Sequence, residues 1–284
     1  MENTDKSNGE LESLKKENTY LLAQLTKLNQ KLEESDSFKS HFISNITNEI
    51  VNPFTSILGI SKNIISLGAN KISQIHSMAN LIYNEAFDLD FQLQNIFAAA
   101  KIESGEINLE LTSIEPIAFV ENIIESLRFK SEKKAQYIEI IAHDDVPSNF
   151  VTDEEKFNVI IKNIITNAII FGDDKTRIGV NIEGKDDQIV IKVNNKGSLI
   201  DKEELDKIFD RFTKLDKNIN SVNQGHGLGL SVTKSYLEFL DGEISVESDE
   251  NIGNTFSVVM HPSENNSDSL IRDDDLFIDD SEIF

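Results

Sequence analysis

The sequence contains no cysteine and little positive charge. Without cysteine there are no disulfides, thiolate metal sites or cysteine nucleophiles, so the chain does not require an oxidising compartment. Its 27 basic residues face 50 acidic residues, for a formal net charge of -23. Because nucleic acid phosphates are bound by clusters of Lys and Arg, this composition argues against nucleic acid partners. The negative net charge would also be repelled by an anionic membrane surface.

Long hydrophobic runs are also lacking. No stretch reaches the roughly 18 apolar residues that a membrane-spanning helix needs, although 39% of the chain is hydrophobic. The polar, acidic residues 1–9 differ from a signal peptide and are expected to be disordered. We therefore expect a cytoplasmic protein with room for about two compact domains.

Residues 10–36 carry leucines at alternating spacings of three and four, which is typical of a coiled coil. The seam comprises Leu11, Leu14, Asn18, Leu21, Leu25, Leu28 and Leu32. Asn18 falls at an a position, where paired amides favour a parallel dimer. A lone amphipathic helix packed on the rest of the chain is the alternative.

Residues 37–105 contain two further helical seams, separated by a break at 68–70 and ended by Gly105. The seams comprise Ile43, Ile46, Ile50, Ile57, Ile60, Ile64 and Leu67, then Ile75, Ala79, Ile82, Ala86, Leu89, Leu93, Ile96 and Ala100. Pro53 lies on the first and is expected to kink it. One helical hairpin cannot bury both seams, so we expect a dimeric four-helix bundle.

Residues 106–262 alternate strand and helix patterns, which predicts an α+β sandwich. We expect helices at 116–133, from a capping box of Thr152 and Glu155 to Phe171, at 202–209 and at 228–240. Strands are expected at 107–111, 137–142, 177–183, 188–194, 243–249 and 255–260. Residues 263–284 are acidic with interspersed hydrophobic side chains, and we expect a disordered tail that either solvates the protein or docks a partner.

Two patterns in this region suggest anion and metal chemistry. The segment Gly225, His226, Gly227, Leu228, Gly229 opens a predicted helix, where backbone N–H groups can approach phosphates. Asn163 and Asn167 are four residues apart on one helix, and an Asn carbonyl is a suitable Mg²⁺ ligand. Taken alone, the Asn pair is more typical of a solvated polar face than of a metal site, and Phe171 is more typical of a core residue.

Together with four other segments, these patterns resemble the sensor histidine kinase family. The six matching segments, in the family's order and spacing, are 42–53, 163–168, 195–200, 208–212, 225–230 and 253–256. The resemblance implies a dimerising helical hairpin followed by a Bergerat-type ATP-binding domain. It implies ATP-site roles for Asn163, Asn167 (on Mg²⁺), Phe171, Asn195, Gly197, Thr255 and residues 225–229, with 213–224 as a lid.

Asn48 stands where the family carries its phosphorylatable histidine. A carboxamide is no nucleophile, because its lone pair is delocalised and it has no useful protonation state near neutral pH. We therefore expect no autophosphorylation here. His41, one heptad upstream, is the alternative acceptor, but no acidic residue follows it.

The ATP motifs also depart from the family. Asn195 replaces an aspartate that accepts from the adenine amino group, Leu199 replaces a glycine, and Ile170 replaces a basic residue near the γ-phosphate. A charged acceptor is worth more than a neutral one, by roughly 1 kcal/mol, so we expect ATP and Mg²⁺ to bind weakly.

Glu49 and Asn52 keep the spacing that the family uses to dephosphorylate a response regulator. The sequence therefore favours a regulatory pseudokinase or phosphatase that forms a homodimer and binds a response regulator or a partner kinase. A kinase acting in trans on a partner's histidine, and a non-catalytic scaffold, remain open.

Overall fold

The structure is a computed structural model that describes residues 15–16, 18–27, 29, 47, 50–68, 70–211, 213 and 227–263. The chain divides into two compact units, Met1–Gln92 and Leu93–Phe284. None of the described helices is long and apolar enough to cross a membrane. The predicted disordered N-terminus and nearly all of the predicted tail lie outside the described residues.

The first unit contains helix α1, described over residues 50–66, and most of helix α2, Ile72–Ser104. On α1 the predicted seam residues are half-buried, whereas Val51, Phe54, Leu58 and Ile65 are exposed. The helices at 18–27 and 50–66 agree with the apolar spacing. The coiled coil, the bundle and the predicted domain limits stay predictions.

Gly105 ends α2 as its position in the sequence predicts. Its φ of 70° is left-handed, a conformation that glycine adopts without a side-chain penalty. The N–H of Glu106 then donates to the carbonyl of Lys101 at 3.0 Å, which satisfies one of the last carbonyls of the helix.

The second unit contains a five-stranded sheet in the order β2-β4-β5-β7-β6. The strands are β2 Tyr137–Ala142, β4 Arg177–Lys185, β5 Gln188–Asn195, β6 Glu243–Asp249 and β7 Gly253–Met260. The β2–β4 pair is parallel and the other pairs are antiparallel. Asp186 and Asp187 both have positive φ in the β4–β5 turn, which is the geometry of a tight hairpin.

Three helices cover one face of this sheet: α3 Pro116–Lys133, α4 Glu154–Phe171 and α5 Gly229–Phe239. Alternate residues of β4, β5 and β7 are buried beneath them, as expected for a sheet with one apolar face. Phe157, Ile160, Ile161, Ile164 and Ile165 of α4 are at most 1% exposed. The unit is therefore the α/β sandwich that the sequence predicts, with α4 at its centre.

The predicted strand at 107–111 is wrong. The strand is β1, Leu111–Ile114, which pairs antiparallel with β3, Phe150–Asp153. Pairing across about forty residues leaves no local signal. The predicted helix at 202–209 is also wrong, because residues 202–206 form turns and only Lys207–Phe209 form a short 3₁₀ helix.

The N-cap of α4 is Asp153, not the predicted Thr152. The Oδ1 of Asp153 accepts from the backbone N–H of Lys156 at 3.0 Å, whereas Thr152 belongs to β3 and is fully buried. Both residue types cap helices well. The sequence could not separate them, because β3 extends up to the first turn of the helix.

Candidate functional site

A cavity of about 560 Å³ opens in the second unit beside the C-terminal end of α4. Its lining comes from α4, the segment after β5, the 3₁₀ helix, the start of α5 and strand β7. Its lining includes Asn167, Phe171, Asn195, Gly227, Gly229 and Asn254. The volume suits a small organic ligand.

Asn167 and Phe171 lie one turn apart on α4 and both line the cavity. Asn167 is half-buried, and Phe171 is 43% exposed, so a flat group in the cavity could pack against its ring. Asn163, one turn earlier, does not line the cavity. Its Nδ2 donates to Oδ1 of Asn95 and to the carbonyl of Gly229, so it holds helices rather than facing a ligand.

The start of α5 brings backbone to the cavity through two glycines. Gly227 has a φ of 69°, which is costly for other residues. A Cβ on Gly229 would lie 2.9 Å from Oδ1 of Asn163, so glycine allows α5 to approach α4 closely. Leu228 between them is buried and does not line the cavity. Gly225 and His226 lie outside the described residues.

The segment after β5 closes against the end of α4 through two glycines. Gly197 and Gly172 form an isolated antiparallel bridge, and a Cβ on Gly197 would lie 1.9 Å from the carbonyl oxygen of Phe171. Gly197 is therefore required for packing and is not among the cavity residues. Leu199 lines the cavity with a side chain that is 44% exposed.

Asn195 ends β5 on the cavity wall and is 1% exposed. Its Nδ2 is buried and has no hydrogen-bond acceptor among the described residues. Buried donors are normally paired, and an unpaired one costs about 1–3 kcal/mol.

Asn254 is a cavity residue that the sequence reasoning missed. Its Nδ2 donates to the carbonyl of Ser198 at 2.9 Å and its Oδ1 accepts from Ser248 at 2.7 Å, which anchors the segment after β5. The predicted Thr255 is not in the lining, because its hydroxyl accepts from Asn194 instead. Strand alternation places Asn254 on the same face as the buried Phe256 and Thr255 on the opposite face.

The charges lining the cavity are mostly negative: Asp173, Asp174, Asp201 and Glu204 against Lys134, the one cation among the described lining residues. The ammonium of Lys134 donates to the carbonyls of Ile169, Ile170 and Gly172 at 2.6–3.1 Å. It therefore caps the C-terminal end of α4, where a cation is favourable.

Of the predicted phosphoacceptor segment, Asn48 and Glu49 lie outside the described residues. Asn52 is exposed on α1. It belongs to the first unit, whereas the cavity belongs to the second.

The sequence profile described as "Histidine kinase-, DNA gyrase B-, and HSP90-like ATPase" matches residues 152–264. The chain is 24% identical over 259 residues to the signal transduction histidine-protein kinase BarA of Escherichia coli, covering 89% of this chain and 28% of BarA. Residues 152–264 therefore belong to this ATPase family, and the chain as a whole is similar to sensor histidine kinases.

Other members of the family extend the likeness. The circadian input-output histidine kinase CikA of Synechocystis is 27% identical, over 82% of this chain and 32% of CikA. The histidine kinase ThkA in its complex with the response regulator TrrA has the same fold, with a TM-score of 0.52 and 21% identity. The match covers 81% of this chain and 64% of the ThkA chain. The chain thus spans about a third of the length of BarA and of CikA.

An ATPase domain of this family implies a site for ATP, commonly with Mg²⁺, and the cavity fits both groups. The amide oxygen of Asn167 is a suitable hard ligand, the start of α5 offers backbone N–H groups to phosphate, and the unpaired Nδ2 of Asn195 can meet a base.

Proposed function

We propose that this histidine kinase family member is a regulatory pseudokinase: it binds nucleotide, does not phosphorylate itself, and dephosphorylates a response regulator. The observation that carries the proposal is the cavity's charge. Lys134, the only cation among the described lining residues, is held by three carbonyls, while four carboxylates line the same space. Phosphoryl transfer depends on cations that stabilise developing charge, and here they are scarce.

Nucleotide binding itself retains support. Asn167 would hold Mg²⁺, the backbone around Gly227 and Gly229 would hold phosphate, and Phe171 would contact the base. The bound metal would supply the positive charge that the described lining lacks. We propose that binding is weak, because Asn195 is a neutral acceptor and Ile170 is no cation.

The sequence supports loss of autophosphorylation. Asn48 occupies the phosphoacceptor position, and an amide cannot accept a phosphoryl group as an imidazole can. Glu49 and Asn52 keep the spacing that the resemblance associates with dephosphorylation. Asn52 is exposed, so its carboxamide is free to orient a water molecule towards a regulator's acyl phosphate. The solved complex of ThkA with a response regulator supports such a partner.

We also propose a homodimer formed through the coiled coil and the helical hairpin. In the helix at residues 18–27, Leu21, Leu22 and Leu25 are each exposed by 50% or more. A contiguous apolar strip of this size is typical of an interface rather than of a solvated helix.

A first experiment tests self-phosphorylation. The full chain is incubated with Mg-ATP labelled at the γ-phosphate, and we expect no acid-labile phosphate in residues 37–105, because neither acceptor nor cation is in place. Stable label within this range would overturn the pseudokinase. Asn48→His tests whether the lost acceptor is the sole defect, since label on this variant alone would assign the loss to Asn48.

A second experiment tests the phosphatase. Response regulators of the source organism are phosphorylated with acetyl phosphate and their phosphate lifetimes are measured with the full chain. We expect one lifetime to shorten, and Asn52→Ala to abolish the effect. Asn63→Ala, an exposed asparagine on the same helix, serves as the control. Unchanged lifetimes for all regulators at high dimer concentration would exclude this activity.

A kinase that acts in trans on a partner's histidine is the second candidate. It is favoured by Asn167 and Gly229, which line the cavity as nucleotide binding requires. Labelled Mg-ATP would then mark only a partner kinase lacking its own ATP site, and no labelling in any pairing would exclude this function.

A further inference from the structure

The unpaired amide of Asn195 bears on which base the cavity accepts. This side chain is 1% exposed, lines the cavity, and its Nδ2 has no acceptor among the described residues. A buried donor with no protein partner is destabilising, by about 1–3 kcal/mol, unless a ligand supplies an acceptor. The site therefore offers a hydrogen-bond donor. The family's aspartate does not, because an ionised carboxylate can accept hydrogen bonds but cannot donate them.

The backbone of Asn195 is held rigidly between two strands. It pairs with Ile178 of β4 and with Asn254 of β7. A Cβ on Gly253 would lie 2.3 Å from the carbonyl oxygen of Asn195, so β7 approaches as closely as glycine allows. The backbone of Asn195 is thus fixed at the cavity wall, which limits the entropy cost of pairing its side chain with a ligand.

The chemistry of the purine 6-position makes this donor decisive. Adenine carries an amino group there, which a carboxylate accepts from, whereas hypoxanthine and guanine carry a carbonyl oxygen, which a carboxylate repels. An amide has both a donor and an acceptor. Its Nδ2 can donate to the 6-oxo group while its Oδ1 accepts from the protonated N1. When the amide is rotated by 180°, its Oδ1 can instead accept from the amino group of adenine. Compared with a carboxylate, the amide therefore no longer repels 6-oxopurines, and it accepts more weakly from adenine because it is neutral.

We propose that the cavity binds 6-oxopurine nucleotides, those of hypoxanthine and guanine, at least as tightly as ATP, with Asn195 as the specificity-determining residue. This inference rests on the proposed function in one respect, namely that the cavity takes a Mg-nucleotide.

The test measures the dissociation constants of Mg-ITP, Mg-GTP and Mg-ATP for the full chain by calorimetry and thermal shift. ITP is the sharpest probe, because its base differs from adenine in the 6-substituent and the N1 proton alone. We expect wild-type protein to bind ITP at least as tightly as ATP. Asn195→Asp should shift the ratio about tenfold towards ATP, the size of one charge-assisted hydrogen bond.

Asn149→Asp is the matched control, since it adds the same charge to an exposed residue outside the cavity lining. It should leave the ratio unchanged. If Asn195→Asp does not fold, purine riboside triphosphate, which has no 6-substituent, replaces it on wild-type protein. We expect it to bind several-fold more weakly than ITP, because the donor of Asn195 then has no 6-oxo acceptor.

ATP binding more than tenfold tighter than ITP would overturn the inference and leave the proposed function standing. So would a ratio that Asn195→Asp does not move, or equal binding of ITP and purine riboside triphosphate. If no nucleotide binds at millimolar concentration, the nucleotide part of the proposed function fails, and this inference fails with it.

Discussion

The Nδ2 of Asn163 donates to the Oδ1 of Asn95 at 2.8 Å, and both side chains are almost fully buried. The same Nδ2 donates to the carbonyl of Gly229 at 3.0 Å. One amide therefore joins the end of α2, the middle of α4 and the first residue of α5. Because Asn167 and Gly229 line the cavity, Asn163 positions the nucleotide site without contacting it.

Replacing Asn163 with alanine should lower stability and nucleotide affinity together. Loss of two buried hydrogen bonds is expected to reduce the free energy of unfolding by about 1–3 kcal/mol, measured by urea denaturation. Loss of the tie to α5 should also reduce the thermal shift by Mg-nucleotide. Asn158→Ala, half-buried on the same helix, is the control. A fully stable Asn163→Ala would contradict the assigned role.

Gly229→Ala should destabilise the protein although alanine is the better helix former. The added Cβ would lie 2.9 Å from Oδ1 of Asn163, and such overpacking costs about 1–3 kcal/mol. In a double-mutant cycle with Asn163→Ala the cost should largely disappear, because the obstructing amide is gone. Additive effects in the cycle would show that the two residues do not interact.

Asn163 also shows where sequence reasoning stopped. Periodicity predicted α4, the β4–β5 hairpin and the α/β sandwich, because each depends on local alternation and turn chemistry. Periodicity could not show that Asn163 is buried between helices while Asn167 faces a cavity, because the two residues are four apart and so lie on the same side of one helix. That difference comes from Asn95 and Gly229, which lie 68 and 66 residues away in the sequence.

The same limit explains Thr255 and Asn254. The family resemblance pointed to Thr255, but strand pairing turns Asn254 towards the cavity and Thr255 towards Asn194. Which face of β7 is covered is decided by helices packed from elsewhere in the chain. Sequence alternation gives the two faces, and only tertiary packing assigns one of them to the ligand.

Stability should fall in acid because of Asp153. Burial raises the pKa of this carboxyl, but the N–H of Glu110 and the side chain and backbone of Lys156 outweigh burial and lower it below 3.8. A lowered folded-state pKa means that the carboxylate stabilises the fold above the unfolded pKa. This stabilisation is lost as the pH falls below the unfolded pKa and through the lower folded pKa.

Urea midpoints measured from pH 7 to 3 test this. Asp153→Asn should be less stable than the wild type at pH 7 by about 1–3 kcal/mol, because it loses the charge that pairs with Lys156 at 2.6 Å. The gap, which is the difference in free energy of unfolding between wild type and variant, should narrow in acid. Glu154→Gln, exposed and one residue further on, should not narrow it. Tyr236 does not contribute to this pH dependence. Burial, and to a smaller extent the charges of Glu155 and Asp153, raise its pKa to about 12, far above the pH range measured. A constant gap would exclude Asp153 as the cause.

Removing Mg²⁺ should abolish nucleotide binding. The cavity carries Asp173, Asp174, Asp201 and Glu204, which repel free triphosphate, and the one described lining cation is bound to carbonyls. We expect the thermal shift seen with millimolar Mg-nucleotide to disappear on adding EDTA. Asn167→Ala should do the same in excess Mg²⁺. An equal shift with and without metal would exclude a metal role for Asn167.

The apolar strip of the helix at residues 18–27 should decide the oligomeric state. Leu21 and Leu25 are 50% and 55% exposed and fall on the d and a positions of the predicted seam, so two lysines there would place charges inside a dimer interface. We expect sedimentation to give about twice the 32.0 kDa chain mass for the wild type. Leu21→Lys/Leu25→Lys should raise the dimer dissociation constant at least tenfold, because each buried lysine loses its solvation. Tyr20→Lys, at the exposed c position, should leave the dimer intact, and a wild type that stays monomeric at all concentrations would contradict the dimer.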